Sequence, residues 1–163
     1  MKRHLVAALI VIAACGATRV SAQEAIYIVR HAERADQSAD SELSTDGVGR
    51  AYKLRDMLKD AGINAIFTSE LRRTIDTAAP LAQATHVTAR VVPGADVDRL
   101  AASITAMGSH DRVLVVGHSN TVPALLKALH VDATITVADD AYDNLFIVIP
   151  EKEGRPVLLR LKY

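Results

Sequence analysis

Short apolar runs alternate along the chain with longer segments in which apolar residues recur every three or four positions. Ala25–Val29 is apolar throughout and reads as a buried strand. Residues 33–44 are polar and predict a long loop. From about Asp46, the residues Ala51, Leu54, Leu58 and Ala61 share one helical face, and Gly62 is a stop signal. Ala65–Thr68 predicts a second strand. Leu71–Ala84 has helical spacing, which Pro80 must kink or split. A third strand over Val87–Val92 runs into the turn pair Pro93-Gly94, and Val97–Met107 predicts a further helix. Val113–Val116 is the most apolar strand, followed by a helix over Thr121–Leu129. Tyr142–Ile149 and Pro156–Leu161 read as two closing strands joined around Gly154. Such alternation predicts an α/β fold, a three-layer sandwich with a mostly parallel central sheet flanked by helices. Neither an internal repeat nor a low-complexity segment interrupts it.

The first segment has a different pattern. Lys2 and Arg3 precede an apolar run, Leu5–Ala14, which is too short to cross a bilayer and suits the core of a signal peptide. Val20-Ser21-Ala22 places small or compact residues where a signal peptidase cuts. Residues 1–22 are therefore expected to be a signal peptide and residues 23–163 the folded domain, exported to the periplasm or secreted. Ile12-Ala13-Ala14-Cys15 also fits a lipobox, so an anchor through a lipidated Cys15 is the alternative, and the only route to a membrane partner. Removing residues 1–22 takes away three bases, Lys2, Arg3 and Arg19, and no acid. The formal charge falls from +0 to −3, which argues against a nucleic-acid partner. Cys15 is the only cysteine, so residues 23–163 hold no disulfide, thiol nucleophile or thiolate metal site.

Polar clusters follow three of the strands: Arg30-His31, Ser69 to Arg73, and Gly117-His118-Ser119-Asn120. Parallel pairing would gather them at the carboxyl ends of the sheet, where such folds bind ligands. Arg30 and Arg73 offer planar donor forks suited to phosphate oxygens. His118 adds a donor when protonated, and the helix after Asn120 turns free N–H groups toward the same place. That leaves His31, whose neutral imidazole can attack phosphorus and form a phosphoramidate that water cleaves. The scheme calls for no metal and no cofactor. His86, His110 and His130 have no such company and read as exposed turn or helix-end residues.

"VRHAER", "LSTDG", "TSELRRTIDTAAPLA" and "VLVVGHSNT" together resemble the histidine phosphatase superfamily, also called phosphoglycerate mutase-like, in order over nearly all of residues 23–163. The resemblance implies that fold, a metal-independent phosphatase working through phosphohistidine, and a small phosphorylated substrate. It places Arg30 and Arg73 at the phosphate-binding arginines, His31 at the phosphorylated histidine and His118 at the second histidine. Ala32, Glu70 and Asp76 depart from the family motifs, and the latter two read as surface positions. The general acid is open: Ser119 stands where one branch has an Asp, and Glu33, Asp96 and Asp143 remain as acids, with Asn120 as a further pocket residue. Glu33 could equally hold an arginine, Ser69 reads as a helix cap, and Tyr142-Asp143-Asn144 is either a turn or an edge of the pocket.

Two rivals differ in class. One is a non-catalytic binder of phosphorylated ligands on the same fold. The other is a serine hydrolase using Ser119, since "GHSNT" approaches a nucleophile elbow. It lacks the final glycine and a well-placed later histidine, and leaves Arg30, His31 and Arg73 without a task.

Overall fold

A computed structural model describes residues 24–131, 134–151 and 153–163. The proposed signal peptide and Cys15 lie outside the described residues. Six strands and four helices follow one another as β1 (Ala25–Arg30), α1 (Thr45–Leu58), β2 (Ala65–Thr68), α2 (Arg72–Thr85), β3 (Ala89–Val91), α3 (Val97–Thr105), β4 (Arg112–Gly117), α4 (Thr121–Ala128), β5 (Asn144–Ile149) and β6 (Val157–Lys162).

The strands form one sheet in the order β3-β2-β4-β1-β5-β6. β3, β2, β4 and β1 are parallel; β5 and β6 close the sheet antiparallel. Alternate residues of the central strands face opposite layers. Ile26, Ile28, Phe67, Val113 and Val115 pack under α3 and α4 with Ile104, Val122, Leu125 and Leu126. Val29, Ile66, Leu114 and Val116 pack against Leu54, Leu58, Ala78 and Leu81 of α1 and α2. Cover on both faces explains why β2 and β4 are continuous apolar runs rather than alternating ones.

Expected and observed elements coincide within a few residues, and the differences have causes. α2 is not split at Pro80 but runs through it as one element. Its inner face of Thr74, Thr77, Ala78 and Leu81 is buried, and that packing outweighs a lost backbone hydrogen bond. β3 is shorter than the apolar run that predicts it, because pairing to β2 covers only Ala89–Val91.

The parallel register positions the site. Arg30 pairs with Gly117 and Thr68 with Val116, so the segments after β1, β2 and β4 leave the sheet side by side. The His31 N–H donates to the Gly117 carbonyl at 2.9 Å, extending the ladder by one rung. Behind this junction, α1 begins at Ser44, whose hydroxyl accepts from the Gly47 N–H, with Asp46 in the first turn favouring the helix dipole. Gly47 sits hard against the loop after His31: a Cβ there would lie 2.3 Å from the Glu33 carbonyl oxygen.

Gly47→Ala must therefore push α1 away from the loop that follows His31. The expected cost is about 1–3 kcal/mol of stability, read as a lower urea midpoint; an unchanged midpoint would show that this approach is not tight.

Candidate active site

Arg30, His31, Arg73 and His118 line one cavity of about 440 Å³, together with Arg34, Glu70, Leu71, Gly94, Asn120 and Asp139 among others. Each clusters there because its strand ends there.

His31 is only 3 % exposed. Its Nδ1 lies 2.7 Å from the Ala32 carbonyl oxygen. A carbonyl can only accept, so Nδ1 carries the proton and Nε2 keeps its lone pair. The Ala32 peptide is fixed in turn, since its N–H donates to Thr77 Oγ1, whose hydroxyl donates to the Arg73 carbonyl. Burial, with Arg30, His118 and Arg73 nearby, pulls the His31 pKa down to about 3. The ring is neutral at physiological pH.

His118 stands 5.3 Å from His31, centroid to centroid, in an edge-on arrangement. Thr74 donates its single hydroxyl proton to backbone carbonyls. Ser69 Oγ therefore donates to Thr74 Oγ1 and accepts from His118 Nε2, 3.0 Å away. The chain assigns the proton to Nε2 and leaves Nδ1 as the lone-pair nitrogen. Burial and the charge of Arg73 lower the His118 pKa to about 4. The empty site thus holds His118 neutral, and it becomes a second donor only after taking up a proton. Ser69 is the anchor of His118 rather than a helix cap; the residue before α2 is Leu71.

Arg30 is 4 % exposed. One Nη donates to the Ala138 carbonyl at 2.8 Å, and the guanidinium lies 4.2 Å from the centre of the Tyr142 ring. Arg73 donates to the Ala39 carbonyl. Burial and the neighbouring Arg34 lower its pKa, though a guanidinium stays charged. The Nε–H groups of both arginines are buried without a partner, a costly state for a donor on a charged group. Ser119, Asn120 and Thr121 bring the start of α4 to the same wall.

The acids suggested by sequence lie elsewhere. Glu33 forms a two-pronged ion pair with Arg50, whose other Nη donates to the Tyr163 carbonyl. Burial alone would raise the Glu33 pKa, but those hydrogen bonds win and hold it low. Asp96 accepts from the Arg99 N–H and caps α3, and Asp143 pairs with Lys162. None of the three lines the cavity; Asn120 does. Two carboxylates not singled out from sequence do so instead. Glu70, expected at the surface, accepts from the Gly94 N–H at 2.8 Å, which with its own backbone N–H lowers its pKa. Asp139 accepts from the Ser119 hydroxyl at 2.9 Å and lies 3.8 Å from Arg30. Its position ahead of β5 was the only signal for it. Ser119 therefore gives its proton to a carboxylate, not to a histidine. Asp76 is half-buried in a groove between α1 and α2, where burial raises its pKa. Among the described residues, no group of three or more His, Cys, Asp or Glu could hold a metal ion, and no helix is long and apolar enough to cross a membrane.

Fold and site define an α/β protein with an imidazole-bearing anion pocket at the carboxyl edge of its parallel strands. Residues 26–96 match the histidine phosphatase superfamily (branch 1). A Proteus mirabilis (strain HI4320) protein named Probable phosphoglycerate mutase GpmB is 39% identical over 66 residues, 36% of this chain and 31% of that protein; the match thus spans about a third of that relative's length. Protein histidine phosphatase SixA, solved with tungstate, superposes with a TM-score of 0.72 at 20% identity, covering 85% of this chain and 96% of SixA. Mycobacterial glucosyl-3-phosphoglycerate phosphatase Rv2419c, solved with inorganic phosphate, gives a TM-score of 0.67 at 17% identity, covering 86% of this chain and 96% of that one. The chain is thus similar to the histidine phosphatase superfamily over residues 26–96, and its fold is that of the solved SixA and Rv2419c structures.

Both imidazoles have folded pKa values of about 3 and 4, below the unfolded value of about 6.5. Unfolding therefore takes up protons between those limits. Stability should be full above about pH 6.5 and decline as pH falls toward 4. Proton NMR of the phosphate-free protein should show neither ring titrating near 6.5; a midpoint there for either one contradicts the geometry.

Proposed function

We propose that this protein is a metal-independent phosphatase that works through phosphohistidine. One observation carries the reading: His31, with Nε2 unprotonated, shares a single cavity with Arg30, Arg73 and His118. The match of residues 26–96 to the histidine phosphatase superfamily supports it, as does the shared fold with structures solved with tungstate and inorganic phosphate.

A phosphoryl group seated there accepts hydrogen bonds from the guanidinium donors of Arg30 and Arg73 that no carbonyl takes up, and from the first turn of α4. Its charge favours protonation of His118 at Nδ1, which makes a further donor. His31 Nε2 attacks phosphorus, the N–P bond forms and the bond to the leaving group breaks. The imidazole becomes cationic, and its Nδ1–H remains on the Ala32 carbonyl, which stabilises that charge. Water then attacks phosphorus, the P–N bond breaks, and neutral His31 returns. The surplus proton leaves with phosphate or solvent. Glu33, Asp96 and Asp143 take no part, since each is engaged outside the cavity.

Export belongs to the same proposal. Lys2, Arg3 and the apolar run before Val20-Ser21-Ala22 support a signal peptide cut after Ala22, with lipidation at Cys15 as the other route. N-terminal sequencing of protein from the periplasmic fraction should begin at Gln23; a chain that keeps Met1 in the cytoplasm would refute export.

The wild-type protein should hydrolyse p-nitrophenyl phosphate in the presence of chelator, and His31→Ala should abolish turnover. Acid-quenched enzyme should carry phosphate on His31, labile to acid and stable to base. Arg73→Ala should lower kcat/KM by about 10²–10³-fold. Tight phosphate binding without turnover would instead mark a binding protein.

A further inference from the structure

The cavity is not uniformly cationic. Its wall carries Arg30, His31, Arg73 and His118, but also two carboxylates, Glu70 and Asp139. Glu70 follows β2, on the side of β3, where it is fixed by the Gly94 N–H. Asp139 precedes β5, on the far side of β1, where it is fixed by the Ser119 hydroxyl. Sheet order thus sets the two acids on opposite sides of β4 and β1.

Neither carboxylate is held in a close ion pair by the pocket's arginines, although the charge of Arg73 reaches Glu70. Glu70 forms no ion pair among the described residues. Asp139 reaches Arg30 only at 3.8 Å and is 92% exposed, so that pairing is weak. Arg34 is the other cation on the wall. It lies beside Arg73 and is tied to the Gln37 side chain. Apart from the two histidines no aromatic side chain lines the cavity, because Tyr142 stacks on Arg30 instead. A carrier leaving the pocket in either direction therefore meets a carboxylate and no ring on which to stack.

We infer that the substrate carries its phosphoryl group on a small scaffold bearing a remote cationic nitrogen, as phosphorylated amino alcohols do. The phosphoryl group sits on the central cations, and the positive nitrogen lies against Glu70 or Asp139. Carriers with a carboxylate or a second phosphate are repelled by both acids. This inference rests on the phosphatase reading and adds the charge of the carrier.

The test uses O-phosphoethanolamine, ethyl phosphate and 2-phosphoglycolate as competitive inhibitors of p-nitrophenyl phosphate hydrolysis. These carriers are alike in size and differ in charge. At low salt the amine should bind about tenfold or more tightly than the carboxylate, with ethyl phosphate between them. Glu70→Gln combined with Asp139→Asn should narrow that spread to about threefold or less, and salt should narrow it in the wild type. Equal or reversed affinities, or a spread that the double variant leaves intact, would overturn the inference while leaving the phosphatase standing. No hydrolysis of p-nitrophenyl phosphate would count against the phosphatase itself. Calorimetric dissociation constants for the same three compounds would then decide the charge preference.

Discussion

An imidazole attacks only through a nitrogen that bears no proton, and one short contact decides which nitrogen that is. The Ala32 carbonyl, 2.7 Å from His31 Nδ1, fixes the proton on Nδ1. Everything else about the site depends on keeping that carbonyl still. Thr77 holds the Ala32 peptide from α2, the Gly117 carbonyl takes the His31 N–H from β4, and the missing side chain of Gly47 lets α1 press against the following residue. Three separate elements thus converge on the backbone from His31 to Glu33. Ala32 itself is fully buried and makes its bonds through the backbone.

Around that contact the protein gathers like charges. Arg30 and Arg73 lie near two imidazoles that burial already discourages from protonation. The empty pocket is therefore held in a state that an anion relieves. Neutral His31 is suited to attack, while neutral His118 is one proton short of donating. On the proposed mechanism an arriving phosphoryl group would change the second without needing to change the first. Their hydrogen bonds explain the difference. The His31 Nδ1–H is committed to a carbonyl, whereas the free Nδ1 of His118 is the result of a hydroxyl chain through Ser69 and Thr74.

Strand positions and the four central side chains were legible because both depend on local pattern. An apolar run followed by polar residues marks the end of a buried strand, and parallel pairing brings such ends together. The carboxylates were not legible, because the partner of an acid is a long-range fact. Glu33 meets Arg50 across 17 positions and Asp143 meets Lys162 across 19. No local pattern announces either pair. Glu70 was read as surface and is exposed, and the turn at Gly94, 24 positions on, also fixes it at the wall of the pocket. Pro80 shows the same limit: a local helix breaker is overruled by the buried face of the helix that contains it.

The position of the acids bears on the chemistry. A leaving oxygen with a high pKa needs a proton, and a positioned acid is worth about 10²–10⁴-fold. Backbone N–H groups stabilise the charged form of Glu70 and lower its pKa, so at neutral pH it has no proton to give. Glu33 is committed to Arg50 in the same ionised state. On the proposed mechanism neither Glu70 nor Glu33 supplies that proton, which favours carriers that leave without help or bring a proton of their own. A phosphoryl group bonded to a protonated nitrogen meets that demand, because the nitrogen departs as a neutral amine. That demand concerns the atom bonded to phosphorus, whereas Glu70 and Asp139 act on charge at the far end of the carrier, so leaving-group chemistry and pocket electrostatics constrain different parts of the substrate.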